Sequence, residues 1–256
     1  MKKDDTTFQS LYNDAISVEI KGWDFSYVKD RMISESPPWD YRQIILPFVQ
    51  RSTCVLDMGT GGGEFLSTVK PLPKITYATE AYPPNIPLAK KNLCSYNVKV
   101  VPVTKHEELP LPNSFFDLII NRHEEYNPEE VHRILKPQGL FITQQVGQFD
   151  SIELNQFFGD ETYKEWEWNL EYASKQLKTN KFEILNGKEA LINEYFRDIG
   201  AVVFYLRIIS WQIPNFNIDE NINKFKELHS IIERDGHFST HGHRFLIIAR
   251  KNKRII

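Results

Sequence analysis

"VLDMGTGGGEFL", residues 55–66, places three apolar residues and an acid directly before four glycines, with an acid and two more apolar residues after them. The run "TCVLDM" (53–58) is β-branched and apolar and is stopped by glycine, as expected of a buried strand. Gly59 to Gly63 then form a loop that opens a helix over "EFLSTVKPL" (64–72), closed by Pro71 and Pro73. A strand, glycine turn and helix in this order begin a unit that binds a ligand at the carboxyl edge of a parallel sheet.

Working outward, the same alternation continues. "KITYATE" (74–80) reads as a strand, "NIPLAKKNLCSYN" (85–97) as a helix, and "VKVVPVT" (98–104) and "FFDLIINR" (115–122) as strands. "PEEVHRILKPQG" (128–139) reads as a helix and "LFITQQVG" (140–147) as a strand. Strands and helices alternating at this pitch specify an α/β fold with a doubly wound, mostly parallel sheet.

Residues 1–50 read as a helical lid. In "SESPPWDYRQIILPFVQ", Pro37 and Pro38 break the chain, and Ile44, Ile45, Phe48 and Val49 have amphipathic spacing. Beyond residue 148 the expected elements are a helix at 165–180, a strand at 181–192, an amphipathic helix at 221–236 and a closing strand at 243–251. The segment 198–211, "DIGAVVFYLRIISW", is open: its β-branched content favours a strand, and Asp198 as a cap favours a helix. The expectation is one domain over 1–256, divided into the lid (1–50), a cofactor-binding core (51–147) and an extension (148–256) that completes the sheet and the substrate pocket.

The 256 residues carry 41% hydrophobic and 25% charged side chains, an ordinary globular balance. A net charge of −3 gives no general attraction to phosphate. Cys54 and Cys94 are too few for a disulfide framework, and both read as buried thiols. No run is long enough for a signal peptide or a membrane span, so a cytoplasmic protein without membrane contact is expected; the oligomeric state is not encoded.

Three ligands compete for the glycine loop. A phosphate loop needs Lys-Ser or Lys-Thr after the glycines, and neither follows. A dinucleotide loop starting at Gly59 needs glycine at 64, where Glu64 stands. S-adenosylmethionine fits better, because Asp57 would repel a pyrophosphate but attract the cofactor's sulfonium and ammonium. Glu80 ends the second strand 23 residues after Asp57, where a carboxylate can accept from ribose hydroxyls.

The ordered series "VLDMGTGGGEFL", "TYATEAYPPNIPLAKKNL", "EELPLPNSFFDLIINR" and "VHRILKPQGLFI" resembles the class I S-adenosylmethionine-dependent methyltransferases, specifically the methyltransferase-domain family of ubiquinone-biosynthesis-like enzymes, over about residues 50–147. The resemblance implies a Rossmann-like methyltransferase fold with a seven-stranded sheet. It implies that Asp57, Gly59, Thr60, Gly61 and Gly63 hold the methionine end, and that Glu80 and Ala81 hold the ribose. Lys105, His106, Glu107 and Glu108 would border the adenine, and Asn121 and Arg122 the reactive end. One departure stands at Thr104-Lys105, where the family often has an acid for the adenine amino group; His106, Glu107 or backbone groups would then take that role.

The loop "NRHEEYNPEE" (121–130) supplies His123 as a candidate general base, with Glu124 or Glu125 to orient it. Trp39 and Tyr41 read as lid or substrate-pocket residues and Trp211 as a further pocket aromatic. His237, His241 and His243 in "GHFSTHGHR" have metal-like spacing but lack a completing carboxylate or cysteine, so a turn entering the last strand is preferred and no metal is expected. Basic runs occur only at 175–181 and 249–256, and the Asn/Asp-Pro-Pro-aromatic signature of amino-methylating enzymes is absent after the fourth strand. The sequence therefore favours methyl transfer to a small molecule over its rivals, an RNA base methyltransferase and a non-catalytic S-adenosylmethionine-binding module.

Overall fold

The computed structural model describes residues 3–20, 22–104 and 108–253. Its elements are α1 (Lys3–Ser17), β1 (Met32–Ser34), α2 (Tyr41–Arg51), β2 (Cys54–Met58), α3 (Glu64–Thr68), β3 (Ile75–Glu80), α4 (Asn85–Leu93), β4 (Val98–Pro102) and β5 (Phe116–Arg122). Then follow α5 (Pro128–Ile134), β6 (Leu135–Val146), α6 (Ile152–Phe158), α7 (Leu170–Thr179), β7 (Phe182–Phe196), α8 (Ile199–Ile208), α9 (Ile222–Asp235) and β8 (Phe238–Lys251). The strands form one eight-stranded sheet in the order β1-β7-β8-β6-β5-β2-β3-β4, with a parallel centre. The eighth strand is β1, three residues within the segment expected to be helical.

The chain divides into two compact, interleaved units. The first comprises Met1–Pro37, Gln148–Glu167 and Leu191–His243, and the second Pro38–Gly147, Trp168–Ala190 and Arg244–Ile256. The lid and extension drawn as continuous blocks from sequence are thus each shared between the units: α1 lies in the first and α2 in the second, and strands β7 and β8 pass through both.

In the second unit β2 is buried at all five positions. This follows from its place between two parallel neighbours, β3 and β5, which leaves no face for water. Ile45 and Val49 of α2 cover one face with Val55, Leu118, Ile120, Ile142 and Leu246; on the other, Leu56, Ile119, Phe141 and Ile247 pack with Ala173 and Leu177 of α7. The helix expected to reach residue 139 ends at Ile134, because Pro137 cannot continue it and residues 135–146 pair in β6 instead. Cys54 is buried, and burial lifts its thiol to about 11; Cys94, expected to be buried, is exposed beyond the end of α4.

In the first unit the open segment 198–211 resolves as α8. Every residue from Ile199 to Ile208 except Arg207 is buried, so the helix has no polar face to give it a readable period. Its start is decided by Asp198, whose side chain accepts the Ala201 amide and both arms of Arg31, at 2.7 and 2.6 Å. Gly200 permits this join, since a Cβ there would lie 2.4 Å from the Arg31 guanidinium and 2.9 Å from the Leu11 carbonyl. Phe8, Tyr12 and Ala15 of α1 pack with α8 in the core of this unit.

Asp198→Ala removes a cap and leaves a half-buried guanidinium without its carboxylate partner. Its expected effect is a loss of about 2–3 kcal/mol in urea unfolding, and an unchanged midpoint would contradict the assignment of Asp198 as the join between α1 and α8.

Candidate functional site

The carboxyl ends of β2, β3 and β5 bring Asp57, the glycine turn, Glu80 and the 121–124 loop together within the second unit. Gly59, Gly61 and Gly63 all have positive φ, at 72°, 61° and 85°, a region that side chains with a Cβ rarely enter. The turn is pinned to β3: the Gly59 amide donates to Thr79 Oγ1 (3.2 Å), and the Thr60 amide to the Thr79 carbonyl (2.8 Å). The Asn92 side chain of α4 donates to the Gly62 carbonyl (2.9 Å). A Cβ at Gly61 would meet nothing within 4 Å, so that backbone faces open space. Gly59 instead receives the Glu124 side chain, which a Cβ would strike at 2.4 Å.

Asp57 is buried, and its carboxyl is raised to about 6. Burial is the main cause; the nearby charge of Glu80 adds to it, while the Thr60 hydroxyl and the charge of Arg122 oppose it. Glu80 is also raised by burial, against the pull of the Tyr82, Gly61 and Ala81 amides and the Asn85 side chain. Its Oε1 accepts the Tyr82 amide at 2.7 Å. Met58, Thr79, Glu80, Ala81, Val103, Leu109 and Glu124 line a recess beside these two acids. Two carboxylates whose charge is resisted by burial, next to unobstructed backbone, suit a ligand that brings positive charge.

The loop after β5 is built differently from the sequence expectation. Asn121 is fully buried and is tied up internally: its Oδ1 accepts from Thr143 (2.8 Å) and Gln145 (2.6 Å), and its Nδ2 donates to the Glu124 carbonyl (3.1 Å). It shapes the turn. Arg122 is exposed, with its guanidinium 4.1 Å over the Phe65 ring. His123 has φ 63°, and its backbone amide donates to the Gln144 carbonyl (2.8 Å). Its ring keeps a solvent-facing surface but sits deep among protein atoms; that burial and the charges of Arg244 and Arg122 hold the imidazole well below its ordinary value, so it is a weak base. Glu124 lies on Gly59 and Glu125 is exposed.

Trp39 and Tyr41 are buried anchors, not an exposed lid. Trp39 Nε1 donates to Gln144 Oε1 (2.8 Å), and the Tyr41 hydroxyl accepts the Asn121 amide (3.1 Å) and donates to main-chain carbonyls of β5 and β6. Trp211 is exposed in the first unit, edge-on to Trp23 at 5.5 Å. His106 and Glu107, and Lys105 before them, lie outside the described residues. The neighbouring loop is held by Arg133, which bonds the Leu109 and Leu111 carbonyls (each 2.9 Å) and Glu130. The sequence reading passed over Thr79, Gln144 and Gln145; polar Gln144-Gln145 at the end of an apolar strand is the signal that could have found two of them.

The residues preferred as a turn, 236–244, are mostly strand: β8 already begins at Phe238. A carboxylate does lie nearby, since Glu153 accepts the Thr240 hydroxyl (2.6 Å) and pairs with His241 Nδ1 (2.5 Å). His243 Nδ1 accepts the Phe149 amide (3.1 Å). No group of three or more His, Cys, Asp or Glu able to hold a metal occurs among the described residues, and no described helix is long and apolar enough to cross a membrane.

Comparison with known proteins matches residues 56–143 to the family described as "Methyltransferase domain". The match covers the whole of the turn, the two acids and the loop after β5. Among solved structures, a candidate methyltransferase from Bacillus halodurans C-125 superposes with a TM-score of 0.59 at 15% identity, covering 83% of this chain and 99% of that one. An S-adenosylmethionine-dependent methyltransferase from Mesorhizobium loti gives 0.51 at 14%, covering 82% and 95%. The [4+2]-cyclase SpnF gives 0.51 at 15%, covering 96% and 93%. At these identities the structures establish the Rossmann-like methyltransferase fold alone, which hosts more than one reaction. No curated protein sequence matches the chain.

The burial of Asp57 has a consequence for stability. A folded-state value raised to about 6 means that the ionised form is disfavoured in the fold, by about 3 kcal/mol. This destabilisation is present above pH 6 and is relieved as pH falls toward 4. Asp57→Asn is therefore expected to melt above the parent protein at pH 8, with the gap closing as pH drops through that window. A variant less stable at pH 8, or a gap independent of pH, would contradict the burial of a charged Asp57.

Proposed function

We propose that this chain transfers the methyl group of S-adenosylmethionine to a small organic acceptor. The observation that carries this reading is the pair of raised carboxyls, Asp57 and Glu80, beside a glycine turn with open backbone at Gly61. A cationic ligand without phosphate offsets the desolvation of these acids, whereas a pyrophosphate would add to their repulsion.

When bound, the cofactor supplies an electrophilic methyl carbon on a sulfonium. Asp57 and the open backbone of the turn at Gly61 would border its charged amino-acid end, and Glu80 would accept from the ribose. Ala81, Val103 and Leu109 would give the base an apolar wall, with Glu108 and the loop held by Arg133 at its border. Asn121 positions the turn that carries Arg122, His123 and Glu124. Alignment of donor and acceptor then does most of the catalytic work. The weak basicity of His123 favours acceptor atoms that arrive with a free lone pair over hydroxyls that need a strong base.

Calorimetric titration of S-adenosylmethionine, and separately of NAD, into the purified protein tests this reading. Saturable binding of the first only is expected, weakened about thirtyfold or more in Asp57→Ala, the usual effect of removing one partner of a buried charge pair. Binding of NAD instead, or undiminished affinity in the variant, would contradict it.

A further inference from the structure

One wall of the acidic recess is held in place from behind. Val103 and Leu109 are both buried, and both line the recess beside Glu80 and Ala81. The Val103 amide donates to the Glu80 carbonyl (3.0 Å), which ties this side chain to the end of β3. Leu109 is tied to α5 instead. Its amide donates to Glu130 Oε2 (2.8 Å), and its carbonyl accepts from Arg133 Nη2 (2.9 Å) and from the Leu111 amide (2.7 Å). A peptide unit offers one N–H and two carbonyl lone pairs, so the Leu109 backbone is fully engaged and only its side chain is left to meet a ligand.

Arg133 is wholly committed to this arrangement. Its Nε and Nη2 form a two-pronged pair with Glu130 (2.7 and 2.8 Å), Nη2 also reaches the Leu109 carbonyl, and Nη1 donates to the Leu111 carbonyl (2.9 Å) and to Asn113 Oδ1. A guanidinium has five N–H donors in a fixed fork, and each is used here. Glu130 and Arg133 stand three residues apart on α5, so they are neighbours on one side of the helix. Bonding to Arg133 holds the Glu130 carboxyl below its ordinary value, so the acid stays charged at neutral pH. Neither residue lines the recess itself.

We propose that Arg133 and Glu130 are positioning residues for the base half of the ligand: without touching it, they set its affinity by fixing the Leu109 side chain in the recess wall. The proposal rests on the reading of that ligand as S-adenosylmethionine. A leucine that had to be ordered on binding would cost conformational entropy at that moment, whereas one already held by its own backbone meets the base without that loss. Lysine cannot do the same work, because a single ammonium on a flexible stem has no planar fork with which to hold Glu130, Leu109 and Leu111 together.

The test is calorimetric titration of S-adenosylmethionine into the parent chain, Arg133→Gln, Leu109→Ala and the double variant. Arg133→Gln is expected to weaken binding about tenfold, within the coupling range of residues that share one network, and Arg133→Lys by less. In the Leu109→Ala background the same Arg133→Gln change should alter affinity by less than about twofold, because the side chain it acts through is gone. A merely structural role would give equal losses in both backgrounds. Arg133→Lys leaves a cation beside Glu130 and keeps the comparison available if the Gln variant does not fold; in the free protein its Leu109 amide should exchange hydrogen faster than in the parent chain. Undiminished affinity in both Arg133 variants, or additive losses in the double variant, would overturn the proposal while leaving the cofactor reading intact. No binding by the parent chain would instead remove that reading, and the positioning role with it.

Discussion

A carboxylate withdrawn from water at the end of a fully buried strand is the constraint on which the rest of this site depends. Asp57 lies at the fourth position of β2, where pairing with β3 and β5 excludes solvent. The next residues must turn sharply without covering it, and three glycines at positive φ do so. Thr79 and Glu80 on the adjacent strand then hold that turn by its own amides. The result is a negatively charged, backbone-lined recess whose charge is unfavourable until a cation offsets it. Packing, local backbone chemistry and the choice of ligand are in this way one problem.

What the sequence revealed was local chemistry. The strand, turn and helix of residues 54–68, and Glu80 at the end of the next strand, depend on neighbours close in the chain, and their positions were readable. The parallel centre of the sheet followed from the alternation of elements. The hydrogen-bond network of Asn121 was not legible because its partners, Thr143 and Gln145, come from another strand more than twenty residues away. Trp39 looked like a loop aromatic for the same reason: Gln144, which buries its indole N–H, is 105 residues distant. The helix α8 could not be told from a strand because it is buried all round, and only the Asp198 cap with Arg31 decides it. The three-residue strand β1 and the division of β7 and β8 between the units depend on long-range pairing that has no signature in periodicity.

The most direct measurement is the pKa of Asp57 itself, followed by carboxyl ¹³C NMR with and without S-adenosylmethionine. A value near 6 in the free protein that drops below the ordinary aspartate value of about 3.9 on saturation is expected, because a bound cation stabilises the ionised form. An ordinary value in the free protein, or a raised value untouched by the ligand, would contradict the claim that this buried charge selects the cofactor.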